Sequence, residues 1–176
     1  TDGEGLPVAS LPRSGWNYIL INQKNLLPSS FSVNLTKVEN GYQVDERISE
    51  SLTQMIEDAR AAGVDPIICS AYRTMEKQTT LFNNQVAKYR GQGYGTEEAE
   101  EKAAFWVARP GTSEHHTGLA VDLVARSYQM LDKEQENTPE QKWLMENCHR
   151  YGFILRYPTD KSEITGIGYE PWHYRY

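Results

Sequence analysis

No apolar run in this chain approaches the roughly 20 residues that a helix needs to span a bilayer. No signal-like apolar segment stands at its N-terminus. Basic clusters are missing too. With 18 Lys and Arg against 24 Asp and Glu, the net charge is −6, which argues against a nucleic acid or an anionic membrane held by electrostatics. Cysteine is scarce, with only Cys69 and Cys148. Two thiols do not make a disulfide framework. Their apolar settings, "IIC" and "LMENC", read as two buried thiols, with pairing left open. Repeats and low-complexity tracts are absent. Histidine is also sparse, at four residues, and two of them, His115 and His116, stand side by side.

What is present describes a globular chain. Its 176 residues suit one domain with a sizeable core, and 39% hydrophobic with 24% charged residues excludes a disordered composition. The opening "TDGEGLPVASLPRSG" lacks Met and is expected to be a flexible lead-in over residues 1–16, any leader having been trimmed. The domain proper is expected over 17–176. Residues 45–62 place Ile48, Leu52, Met55, Ile56 and Ala59 at helical spacing, with Gly63 as a stop. "DPIICSAY" is strand-like. Thr74 is placed to cap a helix to about Arg90, with Leu81, Phe82, Val86 and Tyr89 inward. "RGQGYG" breaks the chain, and Thr96 is placed to cap "EEAEEKAAFWVA", whose acidic first turn suits the helix dipole. "LAVDLVA" is a strand. Thr138, Pro139 and Gln141 resemble a capping box opening a helix through Tyr151, stopped by Gly152. "FILRY" and the closing "GYEPWHYRY" read as strands. Strand and helix do not alternate strictly, so the expected fold is one compact α+β domain with a mostly antiparallel sheet flanked by helices.

Several polar residues break these patterns. Asp122 interrupts "LAVDLVA", where an unpartnered carboxylate is costly. His115 precedes that strand by a loop containing Gly118. Glu170 and His173 close the chain, three residues apart. Taken singly, such residues are more often satisfied hydrogen-bonders than ligands. Together, two imidazoles and a carboxylate form a common ligand set for catalytic zinc with a position left for water. On a regular strand, residues three apart face opposite sides. Glu170 and His173 share one site only if the chain bends at Pro171, which puts Glu170 just before the strand, where a general base would stand.

The motifs "SEHHTGLAVD" and "EPWHYRY", preceded by "SAYRT", resemble the zinc D-Ala-D-Ala carboxypeptidases and dipeptidases of the VanY, VanXY and VanX type. The resemblance runs from about Asn17 to Tyr176, includes "NCHRYGFILRYP", and is nearest the VanY/VanXY branch. It implies a compact α+β fold shared with the zinc domain of hedgehog proteins. It also implies that His115, Asp122 and His173 bind Zn2+, that Glu170 is the base, and that Arg73 stabilises the transition state. Asp122 would then face a divalent cation, which offsets its charge. His116 and His149 are left to structural roles.

On this reading Glu170 takes the proton of the attacking water and returns it to the leaving amine. Arg73 has two uses open to it: stabilising the developing oxyanion, or clamping the substrate's terminal carboxylate with two hydrogen bonds. Ser113, Gln78 and Trp172 are further candidates for substrate contact, each with an equally ordinary structural use. The expected activity is release of the last D-Ala from peptidoglycan stem peptides or precursors. Alternatives are a D,D-dipeptidase, an L-Ala-D-Glu endopeptidase, and a non-catalytic zinc-binding interaction domain. Glu170 and Arg73 count against the last. A wall substrate implies an extracytoplasmic place of work; a dipeptidase would work in the cytoplasm. A link to glycopeptide resistance follows from the resemblance alone.

Overall fold

The structure, a computed structural model, describes residues 15–176. The expected lead-in therefore lies outside the described residues, except for its end. There Trp16 stacks on Tyr176, with ring centroids 5.6 Å apart.

A short hairpin comes first, β1 (Leu35–Lys37) against β2 (Gln43–Asp45), antiparallel. Its three-residue strands are too short for an alternation to be read. Its turn is legible: Asn40 and Gly41 adopt φ of 58° and 78°, the left-handed pair that an Asn-Gly hairpin turn demands. Asp45 then caps the next turn, its side chain accepting from Arg47 N. One 3-10 turn (Glu46–Ile48) leads into α1 (Ser49–Ala61). The five apolar residues predicted to share a face, Ile48, Leu52, Met55, Ile56 and Ala59, are all buried.

β3 (Pro66–Ser70) follows, then α2 (Met75–Gly91), capped as expected by Thr74, whose hydroxyl accepts from Lys77 N at 3.1 Å. Phe82, Val86 and Tyr89 pack toward α3 (Thr96–Ala104). Two details of α3 differ from expectation. The cap position is Gly95, with no side-chain bond, and the helix ends at Ala104 rather than continuing through "FWVA". Ala99, Ala103 and Ala104 bury against α2, and the chain then turns so that Trp106 and Val107 both donate to the carbonyl of Ala103. Phe105 and Trp106 remain partly exposed.

β4 (Ala120–Ala125) is buried along its whole length. α4 (Pro139–Asn147) is capped by the Thr138 hydroxyl, which accepts from Gln141 N. The other half of the expected capping box is not formed. Gln141 instead spans from the Leu123 carbonyl to the Tyr174 hydroxyl, inside the core. A 3-10 turn (Cys148–Tyr151) continues α4 to Gly152, which takes φ 84°. β5 (Ile154–Leu155), α5 (Ser162–Thr165) and β6 (His173–Arg175) complete the chain. The closing segment is thus strand only from His173 onward.

The main sheet has the order β3-β4-β6-β5, every pair antiparallel, in agreement with the α+β expectation. β4 is central. Its alternation divides the molecule. Val121 and Leu123 join the large core with Leu52, Met55, Ile68, Leu144, Phe153 and Tyr174, beneath α1 and α4. Val124 faces the other side, against Ile67 and Trp172. Asp122 shares that second face. Cys148 is buried, but Cys69 is only half-buried, and both are free thiols. Burial pushes the Cys69 thiol up to about 12.

Candidate metal centre and cleft

Three elements place the donors. Asp122 lies opposite His173 in the β4–β6 ladder, so one register fixes both. His115 sits on the 3-10 turn Glu114–Thr117, which Ser113 opens and Gly118 closes at φ 73°. A Cβ on Gly118 would stand 2.8 Å from Asp45 N, so the turn that aims His115 depends on glycine. One donor atom each from His115, Asp122 and His173 lies within 4.8 Å of the others. His115 Nε2 is 3.3 Å from Asp122 Oδ2, and His173 Nδ1 is 3.0 Å from Asp122 Oδ1. All three side chains are buried. The donor set fits a zinc ion. The Nδ1 of His115 is 2.7 Å from the Ala71 carbonyl, which takes its hydrogen and leaves Nε2 as a lone pair turned to the cluster.

Glu170 stands beside this cluster, its Oε2 3.7 Å from His173 Nδ1. The bend expected at Pro171 is present: His173 N donates back to the Glu170 carbonyl at 3.2 Å, and the strand begins only after that turn. Burial pushes the Glu170 carboxyl up to about 8, against the pull of His173. Burial pushes His115 down to about 4. Burial would raise Asp122 as well, but the surrounding imidazoles and Arg73 outweigh it and hold this carboxyl well below the usual range.

Arg73 reaches the same place from the loop after β3. It donates from Nη2 to Asp122 Oδ2, from Nε to Ser70 Oγ, and from Nη1 to Gln78 Oε1. Gln78, one of the candidates for substrate contact, stands against Arg73. It is fully buried, gives its amide hydrogen to the Ala108 carbonyl at 2.7 Å, and stands behind Arg73 rather than on the cleft wall. Ser113 and Trp172 do line the cleft, a space of about 770 Å³ that also has Tyr89, Trp106, Leu131, Tyr157 and Tyr169 on its walls. His116 points away from the cluster. Its Nδ1 is 2.8 Å from the Arg73 carbonyl, and its Nε2 accepts from Gly111 N. His149 is exposed and not among the clustered residues.

Two residues escaped the sequence reading. Tyr157 lays its ring against His173, with centroids 4.7 Å apart, and lines the cleft. Glu114 is buried against His173 Nε2, Arg156 and Arg175. Its only signal was a carboxylate inside a stretch of buried residues.

Two imidazoles and a carboxylate, carried by two paired strands and the 3-10 turn before them and open to a cleft, define a mononuclear metal-site domain. The chain belongs to the VanY D-alanyl-D-alanine carboxypeptidase family, whose model matches residues 41–176. It is 47% identical over 161 residues to a D-alanyl-D-alanine carboxypeptidase of Enterococcus faecalis, covering 92% of this chain and 58% of that protein. It is 38% identical over 122 residues to the bifunctional D-Ala-D-Ala dipeptidase and carboxypeptidase VanXYC of Enterococcus gallinarum, covering 66% and 60%. The chain thus spans less than two thirds of these relatives. Among solved structures it is similar to a vancomycin-resistance D,D-pentapeptidase VanY variant in complex with Zn(II), at TM-score 0.83, 47% identity and coverage of 92% and 88%. It is similar also to VanYB in complex with D-alanine-D-alanine, at TM-score 0.84 and 47% identity, covering 92% and 87%. Among the described residues no helix is long and apolar enough to cross a membrane.

Proposed function

We propose that this chain is a zinc-dependent D,D-carboxypeptidase that releases the terminal D-Ala from peptidoglycan stem peptides or precursors ending in D-Ala-D-Ala. The observation that carries the reading is the convergence of His115, Asp122 and His173 within 4.8 Å on the floor of the cleft, with Glu170 and Arg73 beside them. A zinc ion held by these three side chains supplies a Lewis acid that polarises a carbonyl and acidifies water. The chain's own residues do the rest. Glu170 accepts the proton of the attacking water and passes it to the leaving amine. Arg73 is fixed on three sides, and two of its five N–H groups are free to meet negative charge that develops on the scissile carbonyl. The aromatic residues on the cleft walls give the upstream peptide a surface to lie against. Ser113 and Trp172 are the proposed substrate contacts, and Gln78 holds Arg73 in place.

A wall substrate supports a place of work outside the cytoplasm, and the likeness to a vancomycin-resistance protein supports a role in glycopeptide resistance. The test is D-Ala release from a pentapeptide ending in D-Ala-D-Ala, run with and without a zinc chelator, beside the free dipeptide D-Ala-D-Ala. Release from the pentapeptide that chelation abolishes and zinc restores is expected. Activity confined to the dipeptide would make the chain a dipeptidase. Zinc binding without hydrolysis of either would make it a non-catalytic domain.

A further inference from the structure

Glu114 immediately precedes His115, yet its carboxylate is turned to the other histidine of the cluster. It is 1% exposed. Its Oε1 accepts from Arg156 Nε at 2.8 Å and lies 3.0 Å from Arg175 Nη1. Its Oε2 lies 3.3 Å from His173 Nε2. Arg175 is anchored in turn, donating from Nη2 to the carbonyls of Asn17 and Ile19, each at 2.8 Å. Two guanidinium groups thus balance one buried carboxylate, and its third contact is an imidazole nitrogen.

That contact has a consequence for the metal centre. A neutral imidazole carries one hydrogen, and an ionised carboxylate only accepts. With Glu114 against Nε2, the hydrogen belongs on Nε2, and Nδ1 presents its lone pair to the side where Asp122 lies 3.0 Å away. His115 is arranged the opposite way. Its Nδ1 faces the Ala71 carbonyl and its Nε2 faces the cluster. The two imidazoles therefore approach the same point through different nitrogens, each set by the acceptor behind it. One acceptor is a neutral carbonyl. The other carries a full charge, which makes the ring it touches the stronger electron donor.

We propose that Glu114 is the positioning residue of the metal centre: it sets the tautomer and orientation of His173 so that Nδ1 binds the ion. The inference rests on the zinc reading above and adds a residue to it.

The experiment titrates zinc into the metal-free chain against a chromophoric chelator. The proteins are the wild type, Glu114→Gln, Arg156→Gln and the double variant Glu114→Gln/Arg156→Gln. Circular dichroism of each metal-free form checks that it folds. Glu114→Gln should bind zinc roughly 10–100-fold more weakly, because an amide offers Nε2 either a donor or an acceptor and no longer dictates the tautomer. Arg156→Gln keeps the carboxylate on His173 and should stay within about threefold of wild type. A purely structural ion-pair network would make these two variants equal. Where Glu114→Gln does not fold, the double variant, which removes one charge of each sign, gives the same reading. Long-range 1H–15N spectra of the zinc-loaded wild type should show the His173 hydrogen on Nε2. A folded Glu114 variant with wild-type affinity, equal losses in the two single variants, or a hydrogen on His173 Nδ1 would each overturn the proposal. A wild type that binds no zinc would overturn the metal reading itself, a result distinct from any of these.

Discussion

Arg73 donates from Nη2 to Asp122 Oδ2 at 2.8 Å. A cation of the cleft wall is thus tied directly to a carboxylate of the donor cluster. The tie, with Ser70 and Gln78 on the other donors, holds the guanidinium plane still. Such fixed donors stabilise developing charge without reorganising during the reaction. A lysine retains the charge but not the fork, and cannot reach Ser70, Gln78 and Asp122 together. Arg73→Lys should therefore keep its zinc and lose about 10²-fold in kcat. Steady-state kinetics beside metal analysis makes the check. A rise in KM at unchanged kcat would instead assign Arg73 to substrate binding.

Glu170 separates from the donors in the same way. Its carboxylate is adjacent to the cluster but outside the set of three that converge. Glu170→Ala should hold one zinc per chain and lose at least about 10²-fold in hydrolysis, because only proton transfer is removed. Zinc content by atomic absorption, read beside D-Ala release, tests this. Loss of the metal together with activity would make Glu170 a ligand.

The burial that raises the Glu170 carboxyl also makes it a weakness of the metal-free fold. Its carboxyl is raised from 4.5 to about 8. The folded state therefore binds this proton more tightly than the unfolded chain. The stability it contributes is fully present below about pH 4.5 and is lost as pH rises through about 8. Glu170→Gln removes the ionisation. In the metal-free form, Glu170→Gln should melt on the order of 10 °C above wild type at pH 8 and close to it at pH 4.5. Zinc should narrow the gap by offsetting the carboxylate's charge. Thermal scans at the two pH values decide the matter, and a gap independent of pH would show that Glu170 ionises without cost where it lies.

The donors were legible in the sequence because each broke a local pattern: Asp122 a buried strand, His115 the loop before it, and Glu170 and His173 a bend marked by Pro171. Thr74 and Thr138 were legible as caps for the same reason, since a cap is satisfied within a few residues of itself. What was hidden depends on contacts distant along the chain. Glu114 meets Arg156 across 42 residues and His173 across 59. For Gln78 a substrate contact and a solvated helix face stood equally open, because nothing nearby reveals that the Ala108 carbonyl, 30 residues on, would claim its amide. Propensity could not reveal where α3 ends either. The tertiary turn onto Gly168, whose N–H donates to the Phe105 carbonyl, stops it.

The cleft has a donor placed to recognise the end of a peptide. A carboxypeptidase must read a free carboxylate, whereas an endopeptidase need not. Ser113 lines the cleft and accepts from His115 N through its oxygen at 3.3 Å, so its hydroxyl hydrogen is not taken up by that bond. That donor suits an anion, and a terminal amide placed before it turns N–H toward O–H. A buried donor left unpaired costs about 1–3 kcal/mol, which corresponds to roughly 5- to 150-fold in rate. A pentapeptide ending in D-Ala-D-Ala should be cleaved that much faster than its C-terminal amide, and Ser113→Ala should shrink the difference. Products are followed by mass spectrometry. Equal rates on the two peptides, or a cut inside the chain rather than at its end, would favour an endopeptidase that ignores the terminus.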